Sequence, residues 1–171
     1  MPPTAYHQLG LFIVDFQHLE EKINDLLELI SGGDGECVRI LANDLEYAKR
    51  LNTADVLFAR FVDVRINIAS AEKVRFHELV VELGKLGQRR NDLVHSNYMR
   101  WEDIDQQEGL LRRNSKLRGK AGTRELSEEE LKAEDFDKDL DRLRTAARSL
   151  EEFRLQVIDW LYPSDGALGS A

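Results

Sequence analysis

The sequence is short of almost everything that staples a chain. It has one cysteine, Cys37, in 171 residues, so no intrachain disulfide forms and no thiolate zinc site can be built. Three prolines leave no basis for polyproline II or collagen-like structure. The longest apolar runs, such as Leu11-Phe12-Ile13-Val14, fall far below the roughly 18–20 residues of a membrane span. The first ten residues hold neither a basic segment nor an apolar one, which predicts no signal peptide. With a single cysteine, the expected location is the cytoplasm. Positive charge is also scarce: 24 Lys and Arg against 32 Asp and Glu give a net charge of −8. Phosphate affinity rests on Lys and Arg, so nucleic-acid binding is not the default expectation for this balance.

What is present points to a folded chain. Apolar residues make up 42%, too many for a disordered segment, and the length is that of one ordinary domain. The charge is unevenly spread. Arg112, Arg113, Lys116, Arg118, Lys120 and Arg124 follow one another with no acid between them, and Glu125 to Asp141 is then rich in Glu and Asp. Local fields of this kind, rather than net charge, steer a polyanion.

The dominant period is helical. Leu9, Phe12, Phe16, Leu19, Ile23, Leu26 and Ile30 form one stripe of a long first helix, which Ser31-Gly32-Gly33-Asp34-Gly35 ends. A second helix is predicted from Glu36 to Leu51, with Val38, Leu41, Leu45 and Ala48 inward. Asn52-Thr53 reads as a break, with Thr53 capping a third helix through Val64. A fourth runs from Ala71 to about Asn97. Tyr98 to Arg124 breaks the pattern and reads as an irregular excursion or a β-hairpin with Leu110–Leu117 as one arm. Ser127-Glu128-Glu129-Glu130 has capping-box spacing, and Phe136, Leu140, Leu143, Ala147, Leu150, Val157 and Leu161 mark a last helix that Pro163 stops. The expected fold is all-α: an antiparallel bundle of four or five helices over residues 1–162, with an insertion at about 98–124 and a frayed tail at 163–171.

Most candidate sites fall away on spacing. His7 and His18 sit eleven residues apart on one helix, about 16 Å along its axis, too far for one metal. His77 and His95 are isolated, so no metal site is expected. Asp103 to Gly109 hints at a calcium loop, but its Gly falls one place late and Asn114 stands where a Glu belongs. Gly32-Gly33-Asp34-Gly35 lacks the strand and the Lys-Ser/Thr ending of a phosphate loop.

One segment carries a signal: Gln88-Arg89-Arg90-Asn91-Asp92-Leu93-Val94-His95-Ser96-Asn97-Tyr98. It closes a helical stretch just before the irregular region. Asn91 and His95 are four apart and share a helix face. Arg90 and His95 differ by about 140° of helical rotation, so a site needing both must bend the helix end or borrow from a second chain.

This motif resembles that of the HEPN superfamily, in which an Arg is followed by a polar residue and, four to six residues on, by a His. Here Arg90, Asn91 and His95 fill those places. The resemblance covers the helical plan and the motif's position, but not the insertion at 98–124. It implies a metal-independent endoribonuclease of the defence or toxin type, needing no cofactor and acting as a homodimer with two Arg–His motifs across the interface. By that resemblance His95 is the general acid or base, an imidazole suiting proton transfer near neutrality. Arg90 stabilises phosphate charge, and Asn91 orients His95 or binds phosphate. RNA contacts are expected from Arg89, Arg112, Arg113, Lys116, Arg118 and Lys120, and an antitoxin is an expected protein partner. In one branch, toxins with a minimal nucleotidyltransferase antitoxin, a Tyr lies two residues after the His; Tyr98 lies three after.

Other uses of the same residues stand beside this one. His95 can cap a helix C-terminus, and Arg90 can pair with the neighbours of Asp92 or with a carboxylate of the last helix, such as Asp137 or Asp141. The superfamily also has non-catalytic members, so a dimerisation, nucleotide-binding or partner-binding module is the second reading. A plain bundle whose last-helix seam packs on another protein's helix is the third.

Overall fold

The computed structural model describes residues 4–163; the expected frayed tail beyond Pro163 lies outside them. The helices are α1 (Ala5–Ser31), α2 (Gly35–Asn43), α3 (Tyr47–Asp63), α4 (Ala71–Val94) and α5 (Asp137–Leu161). Between α4 and α5 lie three strands, β1 (Asn97–Glu102), β2 (Glu108–Arg118) and β3 (Thr123–Leu131), in one antiparallel sheet of order β1-β2-β3. The fold is therefore α+β, which corrects the all-α expectation. None of the described helices is long and apolar enough to cross a membrane.

The sheet arises from residues that read as two separate charge runs. In the β2–β3 ladder Arg112 stands opposite Glu129, Arg113 opposite Glu128 and Lys116 opposite Glu125. Opposite charges directly across an antiparallel pair stabilise it. The basic run and the first part of the acidic run, Glu125 to Glu130, thus pair within one hairpin, turned by a 3-10 segment, Gly119–Ala121, and by Gly122 at φ +62°. The Leu110–Leu117 arm falls inside β2, but pairing extends over 97–131 rather than ending near 124. Ser127 to Glu130 are strand residues, not a helix cap. The cap ahead of α5 is built later, where the Lys132 N–H donates to Asp135 Oδ2 at 2.7 Å.

Other boundaries move for equally local reasons. The chain breaks at Asp44–Glu46, not at Asn52-Thr53. Thr53 lies within α3, where its hydroxyl donates back to the Lys49 carbonyl at 2.9 Å. A threonine can do this mid-helix without ending it. Only Ala42 of α2 is buried, while Leu41 is 71% exposed, so the inward face expected from Val38, Leu41, Leu45 and Ala48 does not form. Asp34 caps α2 by accepting from the Cys37 N–H at 3.0 Å.

The chain divides into two compact units. The first comprises residues 4–17 with Leu86–Leu143. Its buried apolar residues include Phe12 and Phe16, with ring centroids 6.4 Å apart, and Leu93, Leu110, Leu131, Phe136 and Leu140. The second comprises His18–Lys85 with residues 144–163. Phe58 stacks on Phe76 at 4.2 Å there, and Phe153 meets both edge-on at 5.5 and 5.2 Å. Such offset and edge geometries suit ring quadrupoles.

Candidate functional site

The motif occupies the last turn of α4, in the first unit. A helix leaves its final carbonyls without intrahelical partners, and here side chains from the sheet supply them. Arg112 of β2 donates to the Asp92 carbonyl at 3.3 Å and to Ser96 Oγ at 3.1 Å. The Ser96 hydroxyl donates to the same Asp92 carbonyl. Tyr98 of β1 donates from its hydroxyl to the Leu93 carbonyl at 2.7 Å. The His95 N–H completes the turn on the Asn91 carbonyl at 3.0 Å. The turn bearing His95 is thus fixed on several sides.

A charged network anchors this end of α4 to the rest of the unit. Arg89 donates from Nε to Asp139 of α5 at 2.7 Å and grips Glu129 of β3 with two further bonds at 3.0 and 3.2 Å. Arg112 donates from Nε to Glu129 at 2.7 Å. Asp139 and Arg112 are buried. Burial alone pushes the Glu129 carboxyl up, but the hydrogen bonds and charge of Arg89 and Arg112 outweigh it and hold it below its ordinary range. Burial likewise opposes the Arg89 charge, yet bonds to Glu129 and Asp139 raise its pKa. For Tyr98, burial pushes the phenol up against the lowering charges of Arg112 and Arg89.

The three expected catalytic residues lie on the solvent side of this frame. Arg90 is half-buried, donates to Asn91 Oδ1 at 3.1 Å and lies 5.8 Å from the Phe16 ring centroid. Asn91 and His95 are exposed. No hydrogen bond or ion pair joins Arg90 to His95 within the chain. It is Arg89, not Arg90, that takes a carboxylate of α5; Asp137 instead accepts from Gln8 at 3.3 Å.

Of the residues expected to contact RNA, five are engaged with carboxylates. Besides Arg89 and Arg112, Arg113 pairs with Glu128 at 2.6 Å, Lys116 with Asp92 at 3.1 Å and Arg118 with Glu125 at 2.8 Å. Lys120, in the turn between β2 and β3, has no carboxylate partner among the described residues.

The segment that hinted at a calcium loop is the β1–β2 turn. Asp103 Oδ1 accepts the N–H groups of Asp105 and Gln107 at 2.9 and 2.8 Å, and Lys132 holds its other oxygen at 2.7 Å. Among the described residues no group of three or more His, Cys, Asp and Glu is placed to hold a metal ion. Sequence reading missed Glu129 and Asp139 as anchors of the motif helix. The alternation of charge along a hairpin register was the signal for Glu129. Comparison with protein-family models, with curated proteins and with solved structures gives no match.

Proposed function

We propose that the last turn of α4 is the site of a metal-independent RNA endonuclease of HEPN type, acting in the cytoplasm as a homodimer of the toxin or defence kind, with an antitoxin as its protein partner. The observation that carries this is the placement of His95: its imidazole is exposed and has no partner among the described residues, on a turn whose backbone is fixed by Arg112, Ser96 and Tyr98. A proton carrier needs access to substrate and a fixed position. In this reading His95 takes the proton of an RNA 2′-hydroxyl. The 2′-oxygen attacks the neighbouring phosphorus, the bond to the 5′-oxygen breaks, and the imidazolium gives its proton to that departing oxygen. A cyclic phosphate and a free 5′-hydroxyl result. Because the nucleophile belongs to the substrate, the residues needed are an acid–base group and a cation for phosphate charge. Arg90, already hydrogen-bonded to Asn91, is that cation. Arg90 and His95 do not meet within one chain, so the pairing is drawn across two.

The test is cleavage of end-labelled RNA in EDTA by wild type, His95→Ala and Arg90→Ala. Wild type alone is expected to cut. Mixing the two variants is expected to restore part of the activity, since mixed dimers regain one Arg90–His95 pair. Equal cleavage by wild type and His95→Ala refutes the reading.

A second reading has its own observation. Five cations near the motif already face carboxylates, which lowers their worth to a polyanion. A non-catalytic dimerisation, nucleotide-binding or partner-binding module fits that pairing. RNA affinity measured against salt separates the two, since a phosphate site weakens steeply as salt rises. Absence of binding at low salt favours the module.

A further inference from the structure

The second unit carries a groove that the ribonuclease reading does not use. It lies where the end of α1, the end of α3 and the end of α5 come together and encloses about 610 Å³. That is within the range of small-ligand sites, roughly 300–1,000 Å³. Leu29, Ile30, Leu57, Val64 and Leu161 give it an aliphatic wall, and Phe61 and Tyr162 add aromatic surface. Val64 is 51% exposed and Tyr162 72% exposed, so apolar surface here is left open to solvent.

The charge at this groove runs against that of the chain. Acids outnumber bases overall, yet two guanidinium groups, Arg60 and Arg65, line the groove beside one carboxylate, Glu28. Glu28 is already engaged, accepting from Arg39 Nε at 3.1 Å. Arg60 has no carboxylate partner among the described residues. Arg65 lies 3.6 Å over the Phe61 ring and donates one N–H to the Phe61 carbonyl at 2.9 Å. That contact fixes its position, and the other N–H donors of the guanidinium have no partner among the described residues.

We propose that this groove binds a small amphipathic carboxylate, typified by a medium-chain fatty acid, with the acyl chain along the aliphatic wall and the carboxylate on Arg60 and Arg65. A planar guanidinium suits a carboxylate, since two parallel N–H donors meet two oxygens. A linear chain suits the aliphatic wall made by Leu29, Ile30, Leu57, Val64 and Leu161. Apolar burial and charge complementarity then act on the two ends of one molecule.

The experiment is calorimetric titration of the full chain with decanoate, below its own aggregation concentration, and with decyltrimethylammonium as the same chain carrying the opposite charge. Decanoate is expected to saturate at one per chain and the cation to show no saturable binding. Arg60→Glu is expected to weaken decanoate at least about tenfold, the scale of one lost charge-assisted pair. Val64→Trp, which fills the groove from an exposed position, is expected to weaken it too, with an unchanged circular dichroism spectrum confirming the fold. No saturable binding of decanoate by wild type overturns the proposal. So does equal affinity in wild type, Arg60→Glu and Val64→Trp, or equal binding of the cationic analogue.

Discussion

Arg112 of β2 stands opposite Glu129 of β3 in the sheet, and the same guanidinium reaches the Asp92 carbonyl at the end of α4. One cross-strand pair is therefore also the clasp of the motif turn. Glu129 in turn holds Arg89 of α4, so a single carboxylate ties together both arginines that position this helix end.

The first prediction follows from that hub. Removing Glu129 leaves two arginines, one of them buried, facing each other without their shared carboxylate. Breaking a fully buried pair costs about 3–5 kcal/mol, and Glu129, with its side chain 34% exposed, should cost less. Glu129→Ala is expected to lower unfolding free energy by about 2 kcal/mol. Glu128→Ala, which frees only the exposed Arg113, is expected to change it by under about 0.5 kcal/mol. Urea denaturation of both variants checks the contrast; equal losses would remove the hub from the account.

The second concerns acid. Glu151 is held down to about 2 by its hydrogen bonds to Arg154 first and to Lys22, with burial working the other way. A carboxyl whose folded pKa is depressed adds stability above its unfolded value, and that contribution is lost as pH falls through the folded value. The ordinary value is 4.5, so the loss falls between pH 4.5 and about 2. Glu129, also depressed, acts in the same direction. The urea midpoint of wild type is expected to drop across that window. In Glu151→Gln the drop should be shallower, because a group that no longer titrates cannot contribute a slope.

A third prediction tests the sheet's close packing. A Cβ on Gly109 would stand 2.8 Å from Trp101 Cε3 and 2.9 Å from the Leu131 carbonyl oxygen. Both are well inside ordinary van der Waals separation, and one of them is backbone. Gly109→Ala is expected to destabilise by about 1–3 kcal/mol, the usual cost of overpacking, and to shift Trp101 fluorescence as the indole is displaced. Glycine is required here for room, not for a left-handed backbone.

These residues also show how much was legible in the sequence. The stripe from Phe12 to Leu26 predicted α1, and the run from Ala71 predicted α4, because helical burial repeats every three to four residues and both helices follow it. The sheet was harder to read. Few apolar residues support β2 and β3; Leu110 and Leu131 are buried, but Leu117 and Leu126 are exposed. The pairing shows instead in charges of opposite sign on two strands, and sign alone does not fix a register. Ser127 to Glu130 fit a capping box equally well, and tertiary pairing with β2 decided between them. At the site, Arg90, Asn91 and His95 stand out within a stretch of six residues. Their anchors, Glu129 and Asp139, lie 40 and 50 positions from Arg89, a separation only the fold closes.

The last prediction separates fold from function at the motif turn. The Tyr98 hydroxyl serves a helix-end carbonyl from a half-buried position, so Tyr98→Phe is expected to cost about 1 kcal/mol, the net worth of one hydrogen bond. Among the described residues His95 contributes only its backbone N–H to the turn, and its exposed ring has no hydrogen-bond or ion-pair partner. His95→Ala is therefore expected to change unfolding free energy by under about 0.5 kcal/mol, as surface substitutions usually do. If the turn is a ribonuclease site, the rates should order oppositely. His95→Ala then abolishes cleavage, while Tyr98→Phe slows it by loosening the turn. Denaturation and cleavage measured on the same two proteins check this. A His95→Ala protein as unstable as Tyr98→Phe would mean that the imidazole holds the helix end, and any lost cleavage would then report on folding rather than on chemistry.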